Sequence, residues 1–105
     1  MSKFDALKIK MESRRTELND RLERIKNDLA KPRDKDWEEQ AQERENDDVL
    51  NQLKVDVENE LRDINKALDR MKHHQYGICV SCAADIPMAR LEIKPEVGVC
   101  VKCAA

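Results

Sequence analysis

The sequence predicts a mainly α fold: a long antiparallel two-helix coiled-coil hairpin followed by a small C-terminal module drawn together by cysteines. Three observations predict it. Apolar residues recur at steps of three and four along two long stretches separated by one proline-containing break. Charged residues make up 40% of the 105 positions and aromatic residues 3%, a composition suited to solvated helices rather than a thick globular core. All four cysteines fall in the last quarter, as Cys79-Val-Ser-Cys82 and Cys100-Val-Lys-Cys103.

In the first stretch the apolar stripe runs Phe4, Leu7, Met11, Leu18, Leu22, Ile25 and Leu29, with a gap at Arg14 and Arg15. Ile9 falls off the stripe and is expected on the surface. A helix from about Ser2 to Ala30 is roughly 43 Å long at ~1.5 Å per residue. Pro32 ends it, because proline disfavours helix at Lys31 and has no N–H for the ladder. The second helix starts near Trp37, with Asp36 as N-cap and Glu39 completing a capping-box pattern. Its stripe is Leu50, Leu53, Val57, Leu61, Ile64, Leu68 and Met71, and Gly77 is the expected left-handed residue at its end.

A short connection folds the two helices antiparallel. Placing the turn midway between them pairs positions whose numbers sum to about 66–68, with Phe4 against Ile64 and Met11 against Val57. That leaves the seam thin near the turn, where residues 38–48 are acidic nearly all round. The expected division is a helical hairpin over 1–75, its tip near 31–41, and a cysteine module over 76–105.

Charge is uneven. Residues 1–31 carry nine Lys/Arg against six Asp/Glu, residues 32–60 four against eleven, and residues 61–105 seven against five. A formal net charge of −2 argues against a general nucleic-acid binder, and no stretch is apolar enough to span a membrane. The N-terminal residues have no apolar signal region, so a cytoplasmic, reducing setting is expected.

The cysteines carry the chemistry. Two residues between cysteines let a tight turn aim both sulfurs at one point, and two such turns build a tetrahedral four-thiolate cage, the geometry zinc prefers. Disulfides need an oxidising compartment, a thioredoxin-like pair needs a βαβ setting, and an iron–sulfur cluster is the remaining use of four thiolates. Four protein ligands leave no open position for water, so one structural Zn²⁺ held by Cys79, Cys82, Cys100 and Cys103 is expected. Within the module, Ile86-Pro87 reads as a turn entry and Leu91-Glu92-Ile93 as a short strand ended by Pro95. Lys94, Arg90 and Lys102 are placed to offset the thiolate charge. His73 and His74 suit the negative end of the second helix rather than the metal.

The run Tyr76-Gly77-Ile-Cys79-Val-Ser-Cys82-Ala-Ala-Asp-Ile86-Pro87-Met-Ala-Arg90-Leu91, with the later Pro95 and Cys100-Val-Lys-Cys103, resembles the zinc finger of the DksA/TraR family. The helical hairpin before it matches as well. The resemblance implies a bacterial protein that binds RNA polymerase, inserts a coiled-coil tip through the secondary channel toward the active site, and modulates transcription initiation. It implies protein contact rather than direct nucleic-acid contact and no enzymatic activity; a monomer is expected. The family's tip pattern Asp-x-x-Asp-x-Ala reads here Asp36-Trp-Glu-Glu39-Gln-Ala41, with glutamate for the second aspartate. These residues are also what a helix start wants for capping alone. Longer members hold the nucleotide ppGpp partly through a helix after the last cysteine. This sequence ends at Ala105, so a ppGpp site is in doubt. The competing expectations are a zinc-stabilised interaction module for another protein and a nucleic-acid-binding zinc finger.

Overall fold

The computed structural model describes residues 3–30 and 37–104, with side chains at all of these except 37–45. The elements are α1 (Asp5–Leu29), α2 (Trp37–Lys72), α3 (Met88–Ile93) and α4 (Val101–Ala104). The two long helices pack together as the apolar periodicity requires. Among the described residues there is no strand, only an isolated antiparallel bridge between Ile78 and Asp85.

The chain forms two compact units, Met1–Arg15 with Arg62–Ala105, and Thr16–Leu61. In the first, the buried residues include Leu7 and Met11 of α1, Ile64, Ala67 and Leu68 of α2, and Tyr76, Ile86, Leu91 and Val97. Asp5 lies in the first turn of α1, where a negative charge meets the helix's positive end. In the second unit Leu18, Ile25, Val57 and Leu61 are buried. Ile9 is 68% exposed, as its place off the stripe requires.

Three sequence expectations are corrected. The first concerns register. In the unit containing both ends of the chain, the Phe4 and Tyr76 rings meet edge to face at 4.8 Å, and the Arg15 guanidinium donates to Asn65 Oδ1 at 3.4 Å. Both pairs sum to 80, not to 66–68, and a groove beside them is lined by Lys8 with Lys72 and by Glu12 with Leu68, which keep the same sum. The expectation let the shortest connection decide. The stripes decide instead: a sum near 80 keeps the stripe from Phe4 to Leu29 opposite the one from Leu50 to Met71, whereas a sum near 67 slides it past. A sum near 67 sets Ile25 beside Ala41 and Leu22 beside Arg44, wasting ~1.5–3 kcal/mol for each leucine or isoleucine left unburied. Leu53, placed on the stripe by its spacing, is 45% exposed, and Val49 and Val55 are exposed too.

The second correction is the end of α2. His74, not Gly77, takes the left-handed conformation there, at φ 56°. The Gln75 N–H donates to Arg70 O at 2.8 Å and the His74 N–H to Met71 O at 3.2 Å, the paired bonds of a Schellman motif. Gly77 is left-handed as well, at φ 84°, but belongs to the next turn. The third correction is Leu91-Glu92-Ile93, which lies in α3. Pro87 supplies the preset φ that favours a helix start, and its carbonyl accepts from the Arg90 and Leu91 N–H groups. One buried residue, Leu91, anchors α3, while Ile93 is 85% exposed. Three residues were too few to tell period 2 from period 3.6.

Candidate metal centre

The first cysteine pair sits on a narrow turn. The Ile86 N–H donates to Gly77 O at 2.8 Å, the Cys79 N–H to Ala84 O at 2.8 Å and the Ala83 N–H to Cys79 O at 2.9 Å. Ala83 closes the turn at φ 63°, a strained value for a residue with a Cβ. Glycine at 77 is favoured twice over. Its φ is positive, and a Cβ there would meet Phe4 Cζ at 2.8 Å. The second pair opens α4: the N–H groups of Cys103 and Ala104 both donate to Cys100 O, at 3.1 and 3.0 Å.

These two turns bring four sulfurs together. The Sγ atoms of Cys79, Cys82, Cys100 and Cys103 all lie within 4.8 Å of one another, and Cys82 and Cys100 are 3.6 Å apart. All four are free thiols. Tetrahedral zinc with Zn–S bonds of about 2.3 Å sets its sulfurs about 3.8 Å apart, so the cluster fits one such ion. No histidine joins the cluster among the described residues. Cys79 and Cys100 are buried, Cys103 is half-buried and Cys82 is exposed.

Backbone amides prepare two of the thiols. The Cys100 N–H aimed at Cys79 lowers that thiol to about 6, and the Cys103 N–H lowers Cys100. The others hold their protons harder. Cys103 is pushed up to about 12, first by the Cys100 sulfur and then by those of Cys79 and Cys82. Cys82 is raised because the Cys79 and Cys100 sulfurs outweigh an opposing amide from Ala84. A divalent cation removes this conflict by replacing the shared protons, so metal affinity rises with pH.

Apart from the charge of Arg90, sequence reasoning missed the layer behind the sulfurs. The Tyr76 hydroxyl donates to Pro95 O at 2.7 Å, Arg70 Nη2 to Val97 O at 3.4 Å, and Arg90 Nε to Val99 O at 3.2 Å. Lys10 Nζ donates to Glu92 O at 2.9 Å, tying α1 to the end of α3. Burial raises the Tyr76 phenol to about 12, with Arg70 pulling it down and Glu96 pushing it up. Arg70 had one legible signal, the bare Gly98: a Cβ there would lie 3.2 Å from Arg70 Nη2.

The three residues expected at the tip belong to the Thr16–Leu61 unit. Asp36 lies outside the described residues. Glu39 and Ala41 lie on the opening turns of α2, and their side chains are outside the description.

A helical hairpin joined to a four-cysteine metal centre defines the class: a small C4-type zinc-finger protein. Residues 7–71 match the DnaK suppressor protein-like N-terminal domain, and residues 74–105 the prokaryotic dksA/traR C4-type zinc finger. The chain therefore belongs to the DksA/TraR family. An uncharacterised protein of Aquifex aeolicus is 33% identical over 97 residues, covering 92% of this chain and 66% of that protein. The RNA polymerase-binding transcription factor DksA of Escherichia coli K12 is 33% identical over 43 residues, 41% of this chain and 28% of its own length. Among solved structures, transcription factor DksA2 of Pseudomonas aeruginosa matches with a TM-score of 0.83 at 25% identity, over 95% of this chain and 78% of that one. The DnaK suppressor protein of Agrobacterium tumefaciens matches with a TM-score of 0.68 at 36% identity, over 99% and 93%. The chain thus spans less than two thirds of the curated relatives it matches.

Proposed function

We propose that this chain is an RNA polymerase-binding regulator of transcription initiation, in which residues 76–105 form a zinc-clamped foot and residues 1–75 an arm whose acidic tip enters the secondary channel. One observation carries the reading: the family match runs through both the helical and the zinc-finger segments, and curated relatives in it are named as RNA polymerase-binding transcription factors. The charge distribution supports it. The Thr16–Leu61 unit carries eight Lys/Arg against fifteen Asp/Glu, a formal −7. An arm of that sign suits a cavity lined by basic side chains or holding Mg²⁺. In this reading Asp36 and Glu39 present the working carboxylates and Ala41 keeps the facing surface small. Zinc, held by the four cysteines, is structural and takes no part in chemistry.

The test is transcription in vitro with purified bacterial polymerase, with and without the protein. The Asp36→Asn variant keeps its Tm, since asparagine caps a helix as well as aspartate, and loses the effect on transcription. Full activity in that variant means the charge at the tip is idle. A second reading, a zinc-stabilised interaction module for another partner, is favoured by the short 43-residue span of the curated match. Affinity capture that recovers no polymerase subunits selects it.

A further inference from the structure

The segment just before Cys100 gives up almost all of its carbonyls. Pro95 O accepts from the Tyr76 hydroxyl at 2.7 Å, Val97 O from Arg70 at 3.4 Å, Gly98 O from the Val80 N–H at 2.9 Å, and Val99 O from Arg90 Nε at 3.2 Å. The donors come from four places: the last turn of α2, Tyr76 just beyond it, α3, and the turn between Cys79 and Cys82. Val97 and Pro95 are buried, so these carbonyls have little water to fall back on. The Arg70 guanidinium also lies against Gly98, where a Cβ would stand 3.2 Å from Nη2 and 3.4 Å from Cζ.

We propose that Arg70 and Arg90 are positioning residues for the metal centre: they fix the path of residues 95–99 and so aim Cys100 and Cys103 at the sulfurs of Cys79 and Cys82. A four-thiolate zinc site carries two net negative charges, and groups behind the ligands both orient them and tune their basicity. Arg70 and Arg90 do both, because each brings a fixed positive charge and a directed N–H. The backbone bond from Val80 to Gly98 joins the two cysteine turns directly, so a shift of residues 95–99 moves one pair of sulfurs relative to the other. This stands whether or not the polymerase reading does.

The experiment follows zinc leaving the loaded full-length protein into an excess of a chromophoric chelator, together with equilibrium competition against that chelator. Arg70→Ala and Arg90→Ala are expected to weaken zinc binding and speed its release by about 10–100-fold, the usual cost of losing a group behind a metal ligand. Lys94→Ala removes the same charge from the same segment without removing a bond to these carbonyls, and is expected to stay near wild type. Arg90→Lys keeps the charge but not the fork, and falls between. Helix content by circular dichroism stays at the wild-type level in all of them. If Arg70→Ala disturbs the helices, Gly98→Ala takes its place: it leaves Arg70 present, requires no left-handed backbone, and pushes the guanidinium off Val97 O. Zinc release in Arg90→Ala and in Arg70→Ala or Gly98→Ala that matches Lys94→Ala overturns the proposal.

Discussion

The two compact units are built on opposite plans. The unit of Met1–Arg15 and Arg62–Ala105 holds twelve Lys/Arg against seven Asp/Glu, a formal +5, whereas Thr16–Leu61 stands at −7. The first is fixed by a variety of contacts: an edge-to-face ring pair, a buried phenol, arginines on carbonyls, and four sulfurs at one point. In the second, the buried side chains among the described residues are Leu18, Ile25, Val57 and Leu61, one seam of aliphatic residues. A seam of that kind opens locally at far lower free energy than a cross-linked core. The difference teaches where this sequence places varied contacts and where it places negative charge: the basic unit holds the ring pair, the arginine–carbonyl bonds and the sulfurs, and the described residues of the acidic unit pair through aliphatic side chains.

Removing the metal breaks the comparison most completely. Zinc in small modules contributes of the order of 10–16 kcal/mol of apparent folding free energy. Cys100→Ser, or a strong chelator, should unfold residues 76–104 and abolish the near-ultraviolet signal of Tyr76. Helical ellipticity from α1 and α2 should largely persist. Simultaneous loss of both signals would show that the seam cannot stand without the metal.

Cavities sharpen the comparison next. Leu18 and Leu91 are each 1% exposed, one in each unit. Truncation to alanine should cost about 2–5 kcal/mol in either case. The consequences should differ. Leu18→Ala should raise amide exchange across residues 16–29 and 50–61 with zinc content unchanged, while Leu91→Ala should hasten zinc loss. Equal effects on zinc from both variants would erase the distinction between the units.

The smallest effect is read at high pH. The folded phenol of Tyr76 sits at about 12 against an ordinary value of 10.0. A raised folded value means the native state holds the proton more tightly. The associated stability is therefore complete below pH 10 and is lost as pH climbs toward 12. Phenolate absorbance, which reports the single tyrosine, should titrate near 12 in the native protein and near 10 in denaturant. Tyr76→Phe should cost ~1 kcal/mol, the usual net value of one hydrogen bond. A native midpoint near 10 would mean that the ring is wet.

The sequence showed the helices and the sulfurs because each is carried by local spacing. Steps of three and four placed Leu7, Met11, Leu18, Ile25, Val57, Leu61, Ile64 and Leu68 inside, and all are buried. Two Cys-x-x-Cys pairs need only short turns to meet, and they do. What escaped depended on partners far along the chain. The pairing of Phe4 with Tyr76 follows from the alignment of both stripes together, which no single window contains. Leu53 keeps the right step from Leu50 and Val57, yet is exposed, because spacing defines a face but not how far the partner covers it. His74 took the left-handed position because the Arg70 and Met71 carbonyls were within reach of the next two amides, a matter of where the ladder runs out rather than of which residue is a glycine. The carbonyl contacts of Arg70 and Arg90 have no periodic signature at all.

The contact between Gly77 and Phe4 has an evolutionary corollary. An added methyl at position 77 would press within 2.8 Å of the ring four residues from the start of the chain. Drift at either position is therefore constrained by the other across more than seventy residues of sequence. Lineages that acquire a side chain at 77 should have shed the aromatic at 4, and should also bear the expense of a left-handed backbone.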